Sequence, residues 1–170
     1  FGGGKSSSST GPAVTGKGPG TGTASAGYGG KGGYYGSGSD SFYGGTTYGS
    51  INAPTHMGSG GGDDDNRGIG GQGGGVVHIM ASGTVAVNGF ITANGQNSSP
   101  YTSGAGSGGS IWIETAALAG TNGQVSANGG NGESGGGGGG RIALTYDVTA
   151  QNLLPPPTVR FTVAGGTAND

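Results

Sequence analysis

The chain has 170 residues, 48 of them glycine and 7 proline, with no cysteine and a formal net charge of −2. A disulfide framework and thiolate metal sites are excluded, and no apolar run approaches the ~20 residues needed to span a bilayer. The basic residues Lys5, Lys17, Lys31, Arg67, Arg141 and Arg160 are scattered, which speaks against nucleic acid as a partner.

Isoleucine, leucine, valine and phenylalanine number only 24. That is too few for a wide core but enough for a thin one between layers of short strands. Glycine and proline at this level signal disorder when no period is present. Here a period is present, and the low net charge gives no repulsion to hold the chain open. A chain that starts at Phe1 reads as a processed product or a piece of a longer precursor.

Residues 1–26 are rich in Gly, Ser and Thr and read as an extended arm, held by neighbouring copies or folded back on the domain. Ser6, Ser7, Ser8, Ser9 and Thr10, with Pro12 nearby, are candidates for O-linked sugar. Residues 27–73 read as a loop-rich segment packed on a repeat region that begins at Gly74. Tyr28, Tyr34, Tyr35, Tyr43 and Tyr48 are, with Phe42, its sizeable packing groups. Asp63, Asp64 and Asp65 are the densest charge and the one candidate metal site, for Ca²⁺. Adjacent side chains on an extended strand point to alternate faces, so a solvated acidic loop is the preferred reading.

Residues 74–150 carry the organising feature. The stretch Gly74–Gly95 lands without a gap on Gly108–Gly129, and eight of those 22 positions are identical. A third, truncated copy begins at Gly139-Gly140-Arg141-Ile142-Ala143-Leu144. A fixed period of this size marks a repeat architecture. Within each copy Val77/Ile79, Val85/Val87 and Ile91/Ala93 alternate with their neighbours, which predicts three short strands, each with one buried face. Asn88-Gly89 and Asn94-Gly95 form the corners, and no segment offers helical spacing. Asn-Gly between alternating runs is also a hairpin signal. The recurrence of like residues at like corners favours strands stacked in parallel, with Ile79 on Ile113, Val77 on Ile111, Ile91 on Val125 and Asn94 on Asn128. The expected fold is all-β: a short parallel β-solenoid with extended N- and C-terminal arms, its glycine-rich stretches 96–109 and 130–140 being excursion loops or tight passages between rungs. Asn97-Ser98-Ser99 is an N-glycosylation sequon in one such loop.

Residues 151–170 read as a proline spacer followed by a strand. Val159, Phe161 and Val163 share one face of it, able to add to another sheet edge or to close the chain's own domain. The donor reading is preferred. Trp112 occupies the same repeat position as His78 and reads as a packing ring or an assembly contact. Neither His78 nor His56 has carboxylates or hydroxyls at catalytic spacing, so no catalytic residue is assigned.

Three motifs together resemble a known group: Gly135 to Gly140 with Arg141-Ile142-Ala143-Leu144; Ser126-Ala127-Asn128-Gly129-Gly130; and Tyr48-Gly49-Ser50 followed by Pro54 and Met57 to Gly62. They are similar to large glycine-rich surface proteins of plants, algae, oomycetes and other protists, which look like pectin-lyase-type parallel β-helices. The resemblance covers roughly residues 26–146 and leaves out both arms. It implies an extracellular or wall-associated structural role and no reaction, since the acidic clusters of pectate-degrading β-helices have no counterpart here.

Each end of so short a stack exposes unpaired strand edges. The expected function is therefore a structural subunit of an extracellular fibre, polymerising head to tail with itself, carrying covalent glycans and lacking cofactor and enzymatic activity. The alternative is a monomeric carbohydrate- or ice-binding module using an outward ladder such as Thr92/Ser126.

Overall fold

The computed structural model describes residues 15–34, 43–63, 68–99 and 103–168. It is almost entirely β, and every strand pair is parallel. The strands are β1 (Val76–Met80), β2 (Thr84–Ala86), β3 (Phe90–Thr92), β4 (Ser110–Glu114), β5 (Ala117–Ala119), β6 (Thr121–Ser126), β7 (Arg141–Thr145) and β8 (Thr158–Thr162); one helical turn, α1 (Val148–Gln151), precedes β8. They form three sheets, ordered β1-β4-β7, β2-β5 and β3-β6-β8. The chain thus visits the three sheets in the same order on its first two passes, and on the third it goes from the first sheet to the last without a strand in the middle one.

The register follows the sequence echo. Ile111 lies between Val77 and Ile142, Ile113 between Ile79 and Leu144, and Val125 between Ile91 and Phe161. Alternation sends these residues inward, and the middle pass is the core: Ile111, Ile113 and Val125 are fully buried. Each such burial contributes about 2 kcal/mol. Of their partners, Val77, Ile79, Ile91, Ile142 and Leu144 pack on the same cluster but are only partly buried, and Phe161 is exposed. The corner asparagines also recur with function. Asn94 Oδ1 accepts from the Asn128 N–H at 2.8 Å, and Asn128 Oδ1 accepts from the Ala164 N–H at 2.9 Å. Asn97, Asn131 and Thr167 repeat this pattern at 2.8 and 2.9 Å.

Three expectations are corrected. First, the third copy runs on past β7 to a strand in the third sheet. Residues 158–162 pair with β6 of the same chain, so the C-terminal strand closes its own third pass instead of reaching out as an arm. Second, a helical turn does occur. It stands where the third pass would place a strand in the middle sheet, and Asp147 caps it by accepting from the Thr149 and Ala150 N–H groups at 2.7 and 3.3 Å.

Third, the glycine-rich stretches are not excursions. They form a buried bundle of extended segments, and residues 103–110 at its centre are all buried. Hydrogen bonds to a given neighbour recur every three residues. The Gly104 and Ser107 N–H groups donate to Gly62 O and Ser59 O, Gly71 and Gly74 donate to Gly104 O and Ser107 O, and Gly106 and Gly109 donate to Gln96 O and Ala93 O. A three-residue turn without internal hydrogen bonds is the polyproline II geometry, whose backbone groups point sideways. Here they find other segments in place of water. This packing needs glycine: a Cβ on Gly106 would lie 2.0 Å from Gln72 O. Residues 15–26 belong to the same bundle, with Ala24, Ser25 and Ala26 buried, so this part of the expected N-terminal arm lies within the body.

Candidate functional site

The ends of the sheets are the surfaces that the fold leaves incomplete. Among the described residues, β1, β2 and β3 at one end are each paired on one side only. Their inward residues Val77, Ile79, Val85 and Ile91 are half-buried. At the other end β7 and β8 are likewise paired on one side. Between them runs a groove of about 430 Å³ lined by Ile51, Arg141, Ile142, Leu144, Phe161 and Val163. A neighbouring cavity of about 560 Å³ shares Leu144 and Phe161 and adds Leu118, Tyr146, Leu154 and Val159. Phe161 is 40% exposed and Val163 47%. Val159, Phe161 and Val163, expected on one face, thus line the open end of the chain's own stack.

The middle sheet ends differently. The Gln151 side chain accepts from the Leu118 N–H at 2.8 Å and donates to Leu118 O at 3.1 Å. A side-chain amide so replaces the strand that β5 lacks, which seals that edge.

Trp112 is half-buried on the outward face of β4. The His78 ring stacks on it with centroids 4.2 Å apart and planes 6° from parallel. His78 Nε2 lies 2.8 Å from Glu114 Oε1. One face of Trp112 is thereby covered within the chain, and its Nε1 is buried without an acceptor among the described residues. The outward ladder Thr92/Ser126 continues to Thr162, but Ser126 is only 2% exposed. A ligand lying on that face would meet Thr92 and not the middle rung.

A polar and aromatic junction joins the bundle to the sheets; Tyr28 and Tyr48 are packing groups, as expected, while the part played by Arg141 was not read from sequence. Tyr28 is fully buried, and its hydroxyl lies 2.6 Å from Ser110 Oγ. The Tyr48 ring packs on Tyr28 at 4.6 Å, and its hydroxyl donates to Met57 O at 2.6 Å. Arg141 lies over the Tyr28 ring at 5.4 Å and donates through Nε and Nη2 to Tyr48 O at 3.1 and 2.8 Å. Burial raises the Tyr48 hydroxyl above its ordinary pKa of 10.0, the Ser59 hydrogen bond offsets this in part, and Tyr28 adds to the rise. The signal available in sequence was the rarity of large side chains among these glycines.

Asp63 is fully buried and bridges to Ser103, so it does not sit in a solvated acidic loop; Asp64 and Asp65 lie outside the described residues. Among the described residues no three His, Asp or Glu side chains gather where one metal ion would touch them. Asn97 is exposed, and its Oδ1 accepts from the Asn131 N–H. Its Nδ2, the atom a glycan would take, has no hydrogen bond in that ladder. Ser6, Ser7, Ser8, Ser9 and Thr10 lie outside the described residues. No helix among the described residues is long and apolar enough to cross a membrane. Compared with known proteins, the chain matches no family model, no curated protein and no solved structure.

Proposed function

We propose that this chain is a structural subunit of an extracellular fibre, joined end to end with copies of itself and without enzymatic activity. The observation that carries this reading is the pair of unfinished ends: one-sided strands at both, and an apolar groove between β7 and β8 at one. Three parallel sheets visited in a fixed order support a finer description as a short parallel β-solenoid of three passes. A repeat stack normally needs about three or more units with capped ends, and among the described residues such a cap is seen at the middle sheet alone. The glycine-rich motifs add the resemblance to eukaryotic surface and wall proteins, and with it the extracellular setting. Asn97 is the candidate for N-linked glycan and Ser6 to Thr10 for O-linked glycan.

The test is negative-stain microscopy of the purified chain beside Phe161→Glu. The expected result is linear assemblies that the variant loses while keeping its β-type circular dichroism. Monodisperse small particles for both proteins would overturn the proposal.

A further inference from the structure

Resting on that reading, we infer that the joint continues the internal register: β7 of one copy pairs in parallel with β1 of the next, and β8 pairs with β3, while the middle corner is held apart by α1.

Three observations point to this arrangement. The first is matched edges. β1 and β7 are both five residues long, run in the same direction, and form opposite edges of one sheet. Translation along the stack therefore brings one onto the other with no change of orientation.

The second is the columns. Val76, Ser110 and Arg141 share one level, and Met80, Glu114 and Thr145 another. One further step puts the next copy's Ile79 on Leu144 and its Ile91 on Phe161, which extends both apolar columns. It also puts the next copy's Phe90 beside Arg160, because Phe90, Gln124 and Arg160 share a level. Phe90 is 78% exposed. In the continued stack its ring gains a guanidinium partner.

The third is the helical turn. Neighbouring strands lie about 4.8 Å apart, whereas a helix is about 10 Å across. With α1 sealing β5 through Gln151, the next copy's β2 cannot approach as closely as its β1 and β3. The joint is therefore formed by two sheets, and successive copies tilt away from α1.

The chain has no cysteine, so engineered pairs report cleanly. Met80→Cys with Thr145→Cys places the two thiols on facing edges of adjacent copies; Thr92→Cys with Thr162→Cys does so for the β3-β6-β8 sheet. Within one chain each pair is separated by the middle strand, about 9.6 Å, too far for a disulfide. Thr84→Cys with Thr149→Cys, at the α1 corner, is the control. On mild oxidation the first two double variants are expected to give ladders of covalent multimers on non-reducing gels, with none from the control. Fibres in the microscope without these cross-links would overturn the register and leave the fibre reading standing. Absence of both fibres and cross-links would overturn both. Cross-linking of the control to the same extent would overturn the two-sheet joint.

Discussion

At the scale of single residues, glycine acts here by what it lacks. A Cβ on Gly106 would sit 2.0 Å from Gln72 O and 2.4 Å from its carbonyl carbon, whereas one on Gly89 would meet nothing within 4 Å. Gly106→Ala is expected to destabilise the fold by about 3 kcal/mol or more, the upper range for overpacking. Gly89→Ala should lie within about 0.5 kcal/mol of the parent. Urea denaturation of the two variants checks this contrast. Tyr48 provides a second prediction, read from pH. Its raised pKa means that the fold favours the neutral hydroxyl. That contribution is present below pH 10, the unfolded value, and is lost as pH rises through the higher folded value. Thermal melts are expected to show an alkaline loss of stability above about pH 10, reduced in Tyr48→Phe. A slope unchanged by the substitution would contradict the assignment. Almost none of this could be read from sequence, because Gly89 and Gly106 look alike there. Their difference lies in backbone brought from elsewhere in the chain.

At the scale of elements, the cap on the middle sheet and the asparagine ladders give the next predictions. Gln151→Ala leaves the Leu118 N–H and C=O without their side-chain partners, a loss of about 1–2 kcal/mol. Hydrogen exchange at Leu118 should quicken while that at Ile111 changes little. Asn128→Ala removes the acceptor of the Ala164 N–H, at a cost of about 1 kcal/mol, with faster exchange at Ala164 as the readout. The first two passes were legible in sequence because Ile79, Ile113 and the corner asparagines recur at one spacing. The third was not. Its middle strand is replaced by α1, its ladder residues are Ala164 and Thr167 where the earlier passes have asparagine, and three prolines precede β8. The edge that makes β8 look like a donor strand is the edge it uses within its own chain.

At the scale of the whole molecule, a thin apolar stack and a bundle of extended glycine-rich segments share residues 103–110. Arg141 and Tyr28 clamp the two together. The fold class was readable from alternation and period, but the bundle was not, since polyproline II segments leave no apolar periodicity and take their partners from distant segments. Among the described residues the sheet ends stay paired on one side only after both bodies form, and the proposed self-association would complete them. Sedimentation velocity across a wide concentration range tests this most directly. The account predicts species of many copies that grow with concentration and revert to a single 15.9 kDa chain in Phe161→Glu. A 15.9 kDa monomer for the parent chain at every concentration would contradict it.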